Sequence, residues 1–195
     1  MISIDDFLKN ITINLVSRTN NLSHMYGCRT CSYSGMLHRH GHYSRNVITL
    51  HQHLLIDIQR FKCPSCNKTY SRLPCCLIPY FIYSFDVVLF CLYGAYSLSH
   101  KATLLCRILH DINPSSFITI QSVSFFKRRF LANIFLINSY FARHDKFNYS
   151  MDLSAFTLND AADMLLHKIY HFDVSDSFNL CFFNQIRKHF MCPNI

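Results

Sequence analysis

The chain has 195 residues, half of them hydrophobic, with 19 lysines and arginines against 11 acids and a formal net charge of +8. Every acid is an aspartate; there is no glutamate. Such a composition excludes a chain disordered along its length, suits one ordinary domain or two small ones, and favours an anionic partner, nucleic acid ahead of a membrane surface.

Residues 1–24 read as an N-terminal extension. Its opening, MISIDDFLKN, puts two aspartates where an export signal would carry positive charge and then an apolar run. With no export signal visible, a cytoplasmic location is expected, and the ten cysteines read as thiols or metal ligands rather than disulfides.

Four of those cysteines have ligand spacing: Cys28-Arg29-Thr30-Cys31 and Cys63-Pro64-Ser65-Cys66. A Cys-x2-Cys turn lets two thiolates reach one ion at about 2.3 Å, and two such turns supply a tetrahedral structural site for one zinc. The gap between the pairs exceeds the usual ~15–20 residues, so the hairpin between them has to be lengthened. The intervening residues suit that. MLHRHGHYSRNVITL contains an alternating stretch around Gly41, and HLLIDIQRFKC sets Leu55, Asp57 and Gln59 against Ile56, Ile58 and Arg60, a strand pattern. NKTYSRL can return as a short strand, and Asn67 stands where such a turn needs a left-handed residue. The competing readings are four buried or free thiols and a redox pair. The bracketing of strand-like sequence weighs against the first, and the absence of a βαβ pattern against the second. Residues 25–80 are therefore expected to form a small β zinc ribbon.

His38, His40 and His42 alternate and would share one face of a regular strand, as would His51 and His53. A basic polar face is the plainer reading of them than a second metal site. Arg39, His40, Arg45, Arg60, Lys62, Lys68 and Arg72 concentrate hydrogen-bond donors here, interleaved with Tyr43, Phe61 and Tyr70, as phosphate contacts require.

LHRHGHYSRNV followed by IQRFKCPSCNKTYSRLPCCLIPY resembles a group of bacterial proteins of unknown function related to insertion-sequence transposases. The family pattern has His-Gly-x-Tyr-x-Arg, matched by His40 to Arg45. It continues with Arg-x-x-Cys-x-x-Cys-x-Lys-Thr-aromatic-Ser-x-Leu-Pro, matched by Arg60 to Pro74, and ends near Pro79 and Tyr80. Asn67 departs from the usual glycine. The resemblance spans about residues 28–130 and implies an N-terminal zinc ribbon followed by a helix-turn-helix, in a protein that binds double-stranded DNA. A transposase, or a second copy of the chain, is a further partner it admits.

Residues 77–98, LIPYFIYSFDVVLFCLYGAYSL, are long enough for a membrane span, but Asp86 and Pro79 favour a buried helix starting near Ser84, over about 84–97, which buries Val87, Val88, Phe90, Cys91 and Leu92. Ser99 is expected to cap a second helix with an apolar stripe of Leu104, Leu105, Ile108 and Leu109, and Pro114 interrupts the chain after it. A third helix starts between Ser116 and Thr119. Ile120, Val123, Phe126, Phe130, Ile134, Ile137 and Phe141 recur at three or four residues, one buried face sustained for about six turns. Gln121, Ser124 and Arg128 fall on another face, flanked by Lys127 and Arg129. Residues 81–144 thus read as a helix-turn-helix-like region whose third helix would enter the major groove. In the tail, 145–195, helices are expected near 158–171 and 177–190, the latter capped by Ser175 or Asp176, with Arg187 and Lys188 in its last turn.

The expected fold class is α+β: a zinc ribbon followed by a mainly α-helical region. A transposase catalytic centre needs carboxylates on a sheet to hold two Mg²⁺. Here the triad would have to be all aspartate, and Asp152, Asp160 and Asp163 lie in a helical tail; no phosphate loop or nucleophile elbow is visible. The sequence reads as a non-enzymatic, zinc-stabilised DNA-binding protein related to the targeting half of a transposase. A zinc-ribbon protein-interaction module and a membrane-associated protein are the competing readings.

Overall fold

The computed structural model describes residues 25–143, 151–171, 178–186 and 188–193. The extension 1–24, the cap at Ser175 or Asp176, and Arg187 lie outside them. The architecture is α+β, a three-stranded antiparallel sheet followed by helices.

The sheet runs β1 (His38–Ile48), β2 (His53–Lys62) and β3 (Thr69–Ser71), in that spatial order. All three strands fall where the alternating sequence places them. The pairing Arg39↔Phe61 is followed by His42↔Gln59, so one extra residue bulges out of β1. Gly41 sits in that bulge with φ +74, a conformation open to glycine at little strain. Because Lys62 and Gln59 face opposite sides of β2, their partners His38 and His42 do too. The expected histidine face is therefore broken by the bulge.

Burial on β2 is confined to Ile58 and Phe61, which point to opposite faces of the sheet. Phe61 packs with Leu37 and Cys63, while Ile58 packs with Val47 and Leu77. The β1–β2 turn closes through the Thr49 amide on the Gln52 carbonyl. Its Leu50 is inserted into the helical core, fully buried.

That insertion is fastened by Asp86. One carboxylate oxygen accepts the Leu50 amide at 3.2 Å, and the other contacts the Ser84 hydroxyl, which also reaches the Ile48 carbonyl at 3.0 Å. Ser84 has one hydroxyl proton, and the carbonyl can only accept. A neutral Asp86 that donates to Ser84 Oγ satisfies every group. Burial pushes the Asp86 carboxyl up, against the pull of the Ser84 and Leu50 hydrogen bonds. This is the partner that makes an acid tolerable inside an apolar helix.

The helices are α1 (Phe85–Tyr96), α2 (Ala102–Ile112), α3 (Ile120–Ala132), α4 (Ile134–Arg143), α5 (Leu158–Tyr170) and α6 (Phe178–Ile186). Among the described residues no helix is long and apolar enough to cross a membrane. α1 is buried from Asp86 to Gly94; an added Cβ on Gly94 would lie 2.4 Å from a Leu105 methyl of α2, so any larger residue there must displace that side chain. Ser99 is not the cap of α2: it has φ 54, and the helix starts after Lys101. Thr119 does cap α3, accepting the Ser122 amide.

The long third helix is in fact two. Asn133, at φ −107 and ψ 10, ends α3 before α4 begins. Its side-chain amide donates to the Arg129 carbonyl at 2.8 Å and to the Cys192 carbonyl at 2.9 Å. The apolar spacing continues across the break, because Ile134, Ile137 and Phe141 join the same core as Val123, Phe126 and Phe130.

The tail belongs to that core as well. α5, capped by Thr157 on the Asp160 amide, contributes Ala162, Leu165 and Leu166. From α6, the buried Asn179 donates its amide to the carbonyls of Cys75 at 2.8 Å and Leu77 at 3.0 Å.

Candidate metal centre and basic groove

The first cysteine pair sits on a tight hairpin: the Gly27 amide reaches the Gly35 carbonyl and the Cys28 amide the Tyr33 carbonyl. In the second, the Asn67 amide returns to the Cys63 carbonyl and Cys63 donates to Lys68. Asn67 takes the left-handed conformation, φ 59, that its position calls for. Phe61 and Leu37 pack beneath both turns and bring them together.

The four sulfurs of Cys28, Cys31, Cys63 and Cys66 all lie within 4.8 Å of one another. Cys28 and Cys66 are 3.5 Å apart, and Cys31 and Cys63 3.7 Å. Sulfurs bound at about 2.3 Å around a tetrahedral ion are spaced by about 3.8 Å, far from the ~2.05 Å of a disulfide. The cluster could therefore hold one metal ion, and its soft donors suit a thiophilic one. It is the one such group among the described residues.

An outer layer sits on Cys28. Its sulfur is 3.0 Å from the Tyr70 hydroxyl, which is 2.7 Å from Thr30 Oγ1, and the Thr30 amide points at the same sulfur from 3.4 Å. Although desolvation opposes ionisation, the hydrogen bonds from Tyr70 and the Thr30 amide bring the Cys28 thiol down to about 6. At Cys66 the Lys68 amide favours the thiolate, but desolvation and the neighbouring thiols prevail and raise it to about 12. The Cys28 bond raises the Tyr70 phenol in turn. Cys28 and Cys66 are thus pushed in opposite directions, and a bound cation would require both as thiolates. Tyr70 and Thr30 are contacts of the cluster that cysteine spacing alone does not reveal.

A groove of about 2180 Å³ runs between the sheet and the helices, lined in part by Arg29, Arg45, Arg72, Arg129 and Lys188 and, among the described residues, by no acid. Of the eleven residues expected to contact DNA, Arg45, Arg72, Gln121 and Arg129 line it. Arg45 is half-buried and donates to the carbonyls of Ile78, at 2.8 Å, and Phe81, so it braces the chain between sheet and α1. Arg129 stacks on Phe125 with its guanidinium carbon 5.2 Å from the ring centre.

The other seven lie elsewhere. Arg39, His40, Lys68 and Arg128 are exposed, and Lys62 is half-buried. Arg60 donates to Thr69 at 3.2 Å, and Lys127 lies 4.9 Å over the Tyr96 ring. Arg29 and Lys188, which the sequence reading did not join to this surface, come from opposite ends of the chain. Arg29 stacks on Phe183 of α6 at 4.9 Å, tying the first cysteine turn to the last helix.

A family model described as a domain of unknown function (DUF6431) matches residues 28–117. The match takes in all four cysteines, the sheet, α1 and α2, and it stops short of α3. No curated protein and no solved structure matches the chain.

Proposed function

We propose that this chain is a zinc-stabilised DNA-binding protein, related to the DNA-targeting part of insertion-sequence transposases, with no catalytic step of its own. The observation that carries the reading is the four-sulfur cluster, set in a sheet region whose exposed side chains include Arg39, His40 and Lys68. Four thiolates at tetrahedral spacing suit zinc, which has no redox chemistry and needs no open coordination position to act as a staple. When bound, the ion would crosslink the two cysteine turns and so hold Lys68, beside the second turn, against the first.

In this reading the sheet region is a zinc ribbon, and α2 and α3 are a helix-turn-helix in which α3 enters the major groove. Exposed Arg128 is then its base or phosphate contact, while Lys68 and Arg39 hold the backbone. The absence of any glutamate supports a non-catalytic role.

The test is metal analysis of the purified protein with gel-shift titration against duplex DNA across a salt series. One zinc per chain is expected, with an affinity that falls by a log–log slope of roughly −0.9 per phosphate contacted. Lys68→Ala weakens all sequences alike and flattens that slope by about one, whereas Arg128→Ala costs about 1–3 kcal/mol and relaxes one position. A folded, zinc-loaded protein that holds no duplex DNA at low salt overturns the proposal.

A further inference from the structure

We infer that the groove between the sheet and the helices holds a single, unpaired nucleic-acid strand. This goes beyond duplex binding and stands apart from it, because Arg39, His40, Lys68 and Arg128 do not line the groove. At about 2180 Å³ it exceeds the ~300–1,000 Å³ of small-molecule pockets, which points to a polymer. Its cations come from five separate segments, and the absence of a lining acid among the described residues suits a continuous phosphate backbone.

Two of those cations, Arg29 and Arg129, rest on the rings of Phe183 and Phe125. A guanidinium stacked in this way is held in place, and its planar fork of donors matches phosphate.

The choice of a single strand comes from Tyr80. It lines the groove with its side chain fully exposed, at φ 67. The Phe81 amide closes a turn on the Ile78 carbonyl, so Pro79 and Tyr80 are its two central residues, and Tyr80 holds the place that a type II turn gives to glycine. A bulky residue at positive φ is an outlier that persists where its surroundings hold it, and Arg45 clamps both ends of this turn through the Ile78 and Phe81 carbonyls. Arg45 is a positioning residue for the ring. An exposed aromatic face stacks on an unpaired base, whereas the faces of paired bases are already covered by their neighbours. Tyr26, also exposed on the groove, offers a second platform.

The experiment is fluorescence anisotropy of the full, zinc-loaded chain with labelled oligothymidylate and oligouridylate of about 16 nucleotides, the upper end of the usual site size, and with a duplex of equal length. Binding of a single strand is expected, with a salt slope of roughly −0.7 per phosphate. A preference between the two oligomers assigns DNA or RNA as the source. Tyr80→Ala weakens single-strand affinity about five-fold to a hundred-fold, Tyr80→Phe retains it, and Tyr80→Gly weakens it while raising the thermal midpoint, because the turn is relaxed. Arg143→Ala, at an exposed position outside the groove, leaves single-strand affinity unchanged. Absence of single-strand binding at low salt, or affinity indifferent to Tyr80→Ala and Arg129→Ala, overturns the inference. Duplex binding that survives such a result leaves the proposed function standing, and loss of duplex binding alone leaves the groove assignment standing.

Discussion

In the sheet region Leu37, Phe61 and Cys63 are buried together on one face and Val47, Ile58 and Leu77 on the other, whereas the helices share one apolar cluster that runs from Leu50 to Met191. Two clusters this small cannot offset the conformational entropy of ordering three strands and two cysteine turns. The helical cluster, rich in interlocked rings such as Tyr140, Phe178, Phe182 and Phe190, has no such deficit. The four cysteines stand where burial is thinnest, and an ion held between them could supply by coordination what burial does not supply there.

Loss of an ion from the four-cysteine cluster is expected to separate the two regions most. A structural zinc contributes on the order of 10 kcal/mol to a small site. Chelation, or Cys63→Ser, is expected to unfold the sheet region while the far-ultraviolet helical signal persists. Hydrogen exchange at Phe61 and Cys63 against Val88 and Leu165 measures it; uniform loss of protection at all four would show that the two regions share one fate.

Acid probes the helical side. His189 accepts the Met191 amide at Nδ1 and contacts Asn179 Oδ1 through Nε2, so it is neutral with its proton on Nε2. Burial pushes the imidazole down to about 3. The unfolded chain binds a proton near pH 6.5 and the folded chain does not. Stability is therefore complete above about pH 6.5 and is lost as pH falls, reaching on the order of 3 kcal/mol by about pH 4. In His189→Gln, followed by thermal melts of the helical signal, the baseline is lower but that part of the slope is gone.

The smallest effect sits at the junction. Asp86→Leu leaves the Leu50 amide and Ser84 without their partner and costs about 1–3 kcal/mol. Asp86→Asn keeps both contacts and shifts stability by about 1 kcal/mol or less near neutral pH. Because the folded carboxyl is raised, wild type loses stability relative to Asn as pH rises above about 4. Denaturant melts of both variants from pH 4 to 8 show whether the two regions unfold separately once the junction is altered.

Much of the sheet and the gathering of the four cysteines was legible because the signals are local: alternation over β2, Cys-x2-Cys spacing, and an asparagine where the turn needs positive φ. What stayed hidden depends on contacts far apart in the chain. The break at Asn133 is sealed by the Cys192 carbonyl, and nothing in the regular spacing from Ile120 to Phe141 announces it. The histidine alternation failed because one glycine bulge inverts which face each residue takes. Arg45 reads as a phosphate contact, yet it serves the carbonyls of Ile78 and Phe81. Arg29 and Lys188 meet at one groove only after the tail folds back on the cysteine turns.

The bonds of Asn179 to Cys75 and Leu77, and of Asn133 to Cys192, have a consequence for synthesis. As the chain leaves the ribosome, α1 to α5 emerge with the pocket for Phe178, Phe182 and Phe190 still open, and the rings of Phe85 and Tyr140 remain uncovered. The cysteine turns can take up their ion early, from a segment that ends at Cys66. The rest of the molecule can only close after residue 192 is free of the exit tunnel, so the nascent protein passes through a stage in which the cysteine turns are complete and the helical end is unsealed, and chaperone capture competes with completion.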